Sequence, residues 1–164
     1  MSTVAVTRLI AAPVARVWAV FTDLPARSGW LSTVDDIQVL TAGPFGAGTG
    51  WQETRTMPDG AKVTEEFQVT QCTVPVCFVV TSPGIGADYR MTYTFIPIKS
   101  GRRKGGTAVT AVQDGALTAP VARLLALVFG GLAARTVEGA LRQDLDALAV
   151  AATAGSTDGP ANAA

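Results

Sequence analysis

Apolar residues recur along this chain with two periods, and the switches between them mark its elements. Val14, Val17, Trp18 and Phe21 fall at i, i+3, i+4 and i+7, the spacing of one helical face, with Pro13 at the opening and Asp23 and Pro25 at the end. Thr3 to Ile10 before it alternates only weakly and reads as an edge strand, and a second short helical piece spans Ala26 to Leu31. The period then shortens to two. Ile37–Leu40, Gly50–Met57, Lys62–Thr70, Val76–Thr81, Tyr89–Ile96 and Thr107–Asp114 read as six strands, punctuated by Gly- and Pro-rich turns such as Pro58-Asp59-Gly60 and Ser82-Pro83-Gly84. From Pro120 to about Val150 the helical period returns, with Leu124, Leu127, Gly131, Ala134, Glu138, Leu141, Leu145 and Leu148 on one stripe. The order is strand, two short helices, six strands and one long helix: an α+β chain with an antiparallel sheet. It forms one domain over residues 1–150, followed by a disordered Ala/Gly-rich tail over 151–164.

The alternation also isolates chemistry. On the strand starting at Gly50, Trp51, Glu53 and Arg55 share a face; on the next, Val63, Glu65, Phe67 and Val69 share one. Closing the hairpin at Pro58–Ala61 pairs residues whose numbers sum to about 120, which sets Arg55 opposite Glu65 and Glu53 opposite Phe67. A charge does not sit unpaired in a dry core. Either these groups pair as a cross-strand salt bridge near a hairpin tip, or the face lines a cavity that admits a polar ligand head. Tyr89, Met91, Tyr93 and Phe95 form an aromatic face on a later strand, and each buried tyrosine hydroxyl either reaches a backbone acceptor or points into a pocket. Glu138 interrupts the last helix much as Glu65 interrupts its strand. The stretch from Leu124 to Ala134 is apolar on all sides; it covers a cavity, meets a second copy of the chain, touches lipid, or is simply a more buried half-helix.

Composition narrows the possibilities. The 164 residues are 48% apolar and 16% charged, enough for one sizeable core without metal or disulfide staples. Thirteen Lys plus Arg balance thirteen Asp plus Glu, so no long-range field gathers nucleic acid. The absence of His removes the usual general base, the Ser-His and Cys-His pairs and the commonest metal ligand. Cys72 and Cys77 are too few for a zinc site and read as reduced thiols. The Gly43–Gly50 run precedes a strand, not the helix N-terminus of a phosphate loop. Arg102-Arg103-Lys104 reads as a solvated turn. No stretch is long enough to span a membrane and no export signal is visible, so a cytoplasmic protein with no metal or cofactor is expected.

The stretch Ala11-Ala12-Pro13-Val14-Ala15-Arg16-Val17-Trp18, continuing through Asp23 to Trp30-Leu31, resembles the opening of the polyketide cyclase/dehydrase family within the START/Bet v1-like (SRPBCC) superfamily. Gly50, Pro58-Asp59-Gly60, the Tyr93-Thr94-Phe95-Ile96-Pro97 run followed by Gly106-Thr107, and the long closing helix agree with it in order and spacing. The resemblance covers about residues 3 to 150 and contains no signature catalytic motif. It implies a helix-grip fold: a curved seven-stranded antiparallel sheet around the C-terminal helix, with a cavity between them for lipids, polyketides or other apolar molecules. It also implies a cavity mouth among the loops near Asp59, Ile85 and Leu117, with the first half of the last helix as a lid. Trp51, Phe67, Tyr89, Tyr93, Phe95, Leu127 and Gly131 are then candidate walls, and Arg55, Glu53 and Glu65 candidates to orient a head group. In a cyclase or dehydratase, Arg55, Glu65, Glu53 and Tyr93 are the catalytic candidates. A protein-interaction module, or a homodimer formed through the apolar half of the last helix, is the remaining alternative.

Overall fold

The computed structural model describes the backbone of residues 2–56, 60–84, 87–117 and 120–154, and the side chains of 3–56, 60–82, 88–115 and 135–154. Strand β1 (Ser2–Ile10) leads into helix α1 (Val14–Thr22), whose first turn closes on the Pro13 carbonyl through the Arg16 and Val17 amides at 2.9 and 3.1 Å. Pro13 lacks an amide hydrogen but keeps its carbonyl, which suits it to this position. Val17, Trp18 and Phe21 are the buried residues of α1, as the heptad-like spacing requires. Helix α2 (Arg27–Trp30) is a single turn, and β2 (Asp36–Val39) begins the sheet's run of hairpins: β3 (Gly50–Thr56), β4 (Lys62–Thr73), β5 (Cys77–Gly84), β6 (Ala87–Pro97) and β7 (Thr107–Leu117). Helix α3 (Pro120–Thr153) closes the fold, running three residues past the expected Val150.

The sheet is antiparallel throughout, in the order β1-β7-β6-β5-β4-β3-β2. Every pair except β1–β7 joins strands that are consecutive in sequence. One close approach fixes the β1–β7 corner: a Cβ on Gly106 would lie 2.6 Å from the Ile10 carbonyl oxygen, so only glycine fits there. A register shift in β4 between Val69 and Gln71 lies beside β5, and such irregularities bend a strand and increase its twist.

The core lies between the concave sheet face and the helices. Trp18 meets Phe95 at 5.1 Å and Phe78 at 5.6 Å edge to face, Phe21 meets Tyr93 at 4.9 Å, and Phe45 meets Phe78 at 5.0 Å. Each buried aromatic side chain contributes on the order of 2–3 kcal/mol from water exclusion, with directional ring contacts added to that. On α3, Leu141, Leu145, Leu148 and Ala152 form the buried stripe. Glu138 does not follow them inward: it pairs with Arg142 one turn later on the exposed flank, so the expected break in the stripe is a surface ion pair.

The β3–β4 hairpin differs from its sequence reading by one step. Its partners sum to 118, placing Trp51 opposite Phe67, Glu53 opposite Glu65 and Arg55 opposite Val63. This register lets the Trp51 and Phe67 rings stack at 5.4 Å and 23°. The two carboxylates it brings face to face are relieved elsewhere, because Glu53 turns to two arginines and Glu65 holds its proton more tightly. Cys72 and Cys77 are free thiols, and the ladder sets them opposite Phe78 and Thr73 respectively.

Candidate functional site

Beside the aromatic core the concave face carries a charge network assembled from α2, the loop after it, β3 and α3. Arg27, on the single turn of α2, is 6% exposed, with its guanidinium 5.0 Å from the Phe21 ring and 5.4 Å from the Trp51 ring. It donates to the Phe21 carbonyl at 3.0 Å and to Glu53 Oε2 at 3.3 Å. Glu53 is 3% exposed and also accepts from Trp51 Nε1 at 3.4 Å and from Arg55 Nε at 2.6 Å. Arg55 then crosses from the sheet to α3, donating through Nη2 to Asp144 Oδ2 at 3.1 Å and through Nη1 to Asp144 Oδ1 at 3.4 Å and Thr33 Oγ1 at 3.1 Å. Thr33 in turn donates to Asp144 Oδ1 at 3.2 Å. Arg27 and Arg55 are thus matched by Glu53 and Asp144, and the group is neutral within itself.

Electrostatics follow from this arrangement. Burial alone would lower the Arg55 pKa, but Asp144 and Glu53 outweigh it and push it up, so the guanidinium is a permanent cation. Burial raises the Glu65 carboxyl above its ordinary value of 4.5; Arg55 opposes the rise and Glu53 adds to it. Burial, then Asp144, pushes the Tyr93 phenol upward as well. Its hydroxyl donates to Met91 Sδ at 3.4 Å, a weak acceptor. Tyr93 and Glu65 are proton-holding groups set next to a charge-balanced network.

The expected site residues separate into three groups. Trp51, Glu53, Arg55, Glu65 and Tyr93 come together around the network. Phe67 joins them by stacking on Trp51, and Tyr89 lies half-buried on β6, two positions along from Met91 on the same face. Phe95 does not line this region: it is 1% exposed in the nest formed with Trp18 and Phe21 and is a core residue. The side chains of Leu127, Gly131 and the rest of the lid half of α3, and the Pro58-Asp59 turn, lie outside the described residues.

Arg27, Thr33 and Asp144 were not anticipated. Asp144 had a signal, since it sits three residues after Leu141 and four before Leu148, on the flank of a buried stripe. Arg27 and Thr33 had none, lying in a short turn and a loop without periodicity. Among the described residues no three His, Cys, Asp or Glu side chains converge as metal ligands would. An open cleft of about 270 Å³ lies at the opposite end of β7, lined by Ile10–Pro13 and Arg102–Gly106. It touches neither the network nor the aromatic wall, and Arg102, Arg103 and Lys104 on its rim are exposed, as a solvated turn would be.

Comparison with known proteins adds the lineage. The family model for polyketide cyclase / dehydrase and lipid transport proteins matches residues 1–153. The chain belongs to this family. Solved structures share the fold of this polyketide cyclase/dehydrase member at low identity. TTHA0849 from Thermus thermophilus superposes with a TM-score of 0.76 at 23% identity, over 95% of this chain and 100% of its own. The di-domain aromatase/cyclases StfQ, of the steffimycin biosynthetic pathway, and BexL, of the BE-7585A pathway, give TM-scores of 0.74 and 0.71 at 16% and 19% identity. They are matched over 94% and 97% of this chain but only 52% and 51% of their own length, so this polyketide cyclase/dehydrase chain spans about half of either. A search of curated proteins finds no significant match. Among the described residues no helix is long and apolar enough to cross a membrane.

Proposed function

We propose that the protein holds a small hydrophobic ligand, a lipid, polyketide or aromatic molecule, between the concave sheet face and α3. Trp51, Phe67, Tyr89 and Tyr93 would form its sheet-side wall, with Leu127 and Gly131 on the helix side. The observation that carries this reading is the gathering of Arg55, Glu65 and Tyr93 beside the Trp51 and Phe67 rings on the concave face under the helix, where a purely structural core needs no titratable groups. Arg55 is 29% exposed at its side chain, and its bonds to Glu53, Thr33 and Asp144 use four of its five N–H donors. The fifth is the donor that would meet an oxygen on the ligand. Membership of a family described by both cyclase and lipid-transport activities supports the same reading.

Native mass spectrometry of the purified protein, followed by denaturing extraction, tests it. A stoichiometric small apolar adduct is the expected result. No adduct, together with no saturable binding in titrations with fatty acids, quinones and polyphenols, overturns it.

The raised Glu65 pKa favours a second reading, a cyclase or dehydratase in which Glu65 exchanges protons with the substrate and Arg55 polarises a carbonyl. The aromatase/cyclase neighbours share the fold on which such chemistry would be built. Glu65→Gln separates the two readings: it abolishes turnover while preserving binding in an enzyme and has no turnover to remove in a carrier.

A further inference from the structure

Among the described residues three buried side-chain polar atoms have no hydrogen-bond partner: Arg27 Nε, Trp30 Nε1 and Ser82 Oγ. Arg27 satisfies its other nitrogens within the network, and Trp30 is only half-buried. Ser82 is different. It is 3% exposed, and its hydroxyl, which can donate once and accept twice, does neither. It alternates with Phe78 and Val80 on β5, both members of the core, so it occupies the concave face. Across the ladder it faces Tyr89, just as Val80 faces Met91 and Phe78 faces Tyr93. On its other side, one step beyond the Gln68–Thr81 pair, is Phe67. Alanine would pack in this aromatic setting without leaving a polar group unmet, and proteins seldom leave a buried hydroxyl unpaired unless something else meets it.

We propose that Ser82 Oγ is a ligand-contacting group. It would form a hydrogen-bonding subsite, with Tyr89 opposite, for an uncharged oxygen of the bound molecule: a hydroxyl or a ketone, not a carboxylate. This rests on the ligand-binding reading above and sharpens it. The restriction to uncharged oxygen follows from the charge balance. Arg27 and Arg55 already have anionic partners, so a carboxylate ligand would enter a low-dielectric face that offers it no unpaired counter-ion among the described residues and that already carries Glu53 and Glu65. A neutral oxygen needs only the hydroxyl that Ser82 leaves free.

Titration calorimetry with four matched probes tests the proposal: 2-methylnaphthalene, 2-naphthol, 2-acetonaphthone and 2-naphthoate at neutral pH, against the wild-type chain and Ser82→Ala. The naphthol and the ketone are expected to bind the wild type about 5- to 30-fold more tightly than the hydrocarbon. Ser82→Ala is expected to erase that advantage while leaving the hydrocarbon's affinity unchanged, and Ser82→Thr, which keeps the hydroxyl, to retain part of it. The ligand-free Ser82→Ala protein is expected to melt no lower than the wild type, which a hydroxyl with a structural partner would not allow. Equal affinities in Ser82→Ala and wild type for the oxygenated probes, or an equal loss for all probes, overturns the subsite while the ligand-binding reading stands. Naphthoate binding as tightly as naphthol overturns the restriction to uncharged oxygen. Failure of all four probes to saturate the wild type counts against the ligand-binding reading, and the subsite falls with it.

Discussion

Two buried clusters share the concave face of the sheet. Under α1, the rings of Trp18, Phe21, Phe45, Phe78 and Phe95 meet edge to face or stacked, without a charge among them. Next to them, Arg27 and Glu53 are buried and Arg55 and Asp144 partly so, all held by hydrogen bonds whose donors and acceptors must be present. The first cluster is stabilised by excluded area and tolerates changes that conserve volume. In the second, each ion depends on its neighbours, because a buried charge that loses its partner is worse than no charge. Phe21 and Trp51 join the two, each lending a ring face to the Arg27 guanidinium. The aromatic cluster packs α1 onto the sheet, and the ionic one ties the sheet to α3.

The contrast can be broken most forcefully at Glu53. Glu53→Gln, nearly isosteric, leaves both arginines short of an anion and is expected to cost about 3–5 kcal/mol in urea unfolding. Phe78→Leu, a larger change of shape in the other cluster, is expected to cost only about 1–2 kcal/mol; if the order reverses, the clusters do not differ as described. Next is the tie to the helix. A double-mutant cycle of Arg55→Ala and Asp144→Ala is expected to give a coupling of about 1–2 kcal/mol, reduced by the partial exposure of both groups. A coupling near zero would leave α3 without its ionic clasp.

A smaller effect sharpens the comparison through pH. The folded-state pKa of Glu65 lies above the unfolded one, so its favourable contribution is complete below the ordinary value of 4.5 and disappears as pH rises through the folded pKa. Glu65→Gln therefore gains melting temperature relative to wild type as pH is raised across that window, by a few degrees at most. The smallest effect belongs to Arg8 and Asp146, an ion pair that also links sheet to α3 but with side chains 50% and 60% exposed. Arg8→Ala is expected to change stability by less than about 0.5 kcal/mol. A larger loss would show that depth is not what separates the buried network from the surface.

Much of the architecture was legible because period and turn chemistry are local signals. The α1 stripe at Val17, Trp18 and Phe21 and the edge position of β1 follow from side-chain spacing alone. The hairpin register was not, since one residue more or less in the turn shifts every pair, and a contact such as the stacking of Trp51 on Phe67 across the strands is not a local signal. At the site, Arg55 and Glu53 stood out as charges on an apolar face. Their partners did not: Arg27 and Asp144 lie 26 and 89 positions away along the chain and meet them only once it has folded. A polar contact across such separations leaves no periodic trace in the sequence.

The strand order has a consequence in time. Strands β2 to β7 form by successive hairpins, each available as soon as its second arm exists, but Ser2 finds its place opposite Gly115. Strand β1 therefore cannot pair until β7 has emerged from the ribosome, and through that interval it is unpaired. Its weak alternation and the exposed Thr3, Thr7 and Arg8 along it make it a poor template for stray partners during that wait. Of the strand pairings in the sheet, β1 with β7 also closes the longest loop and so carries the greatest closure cost.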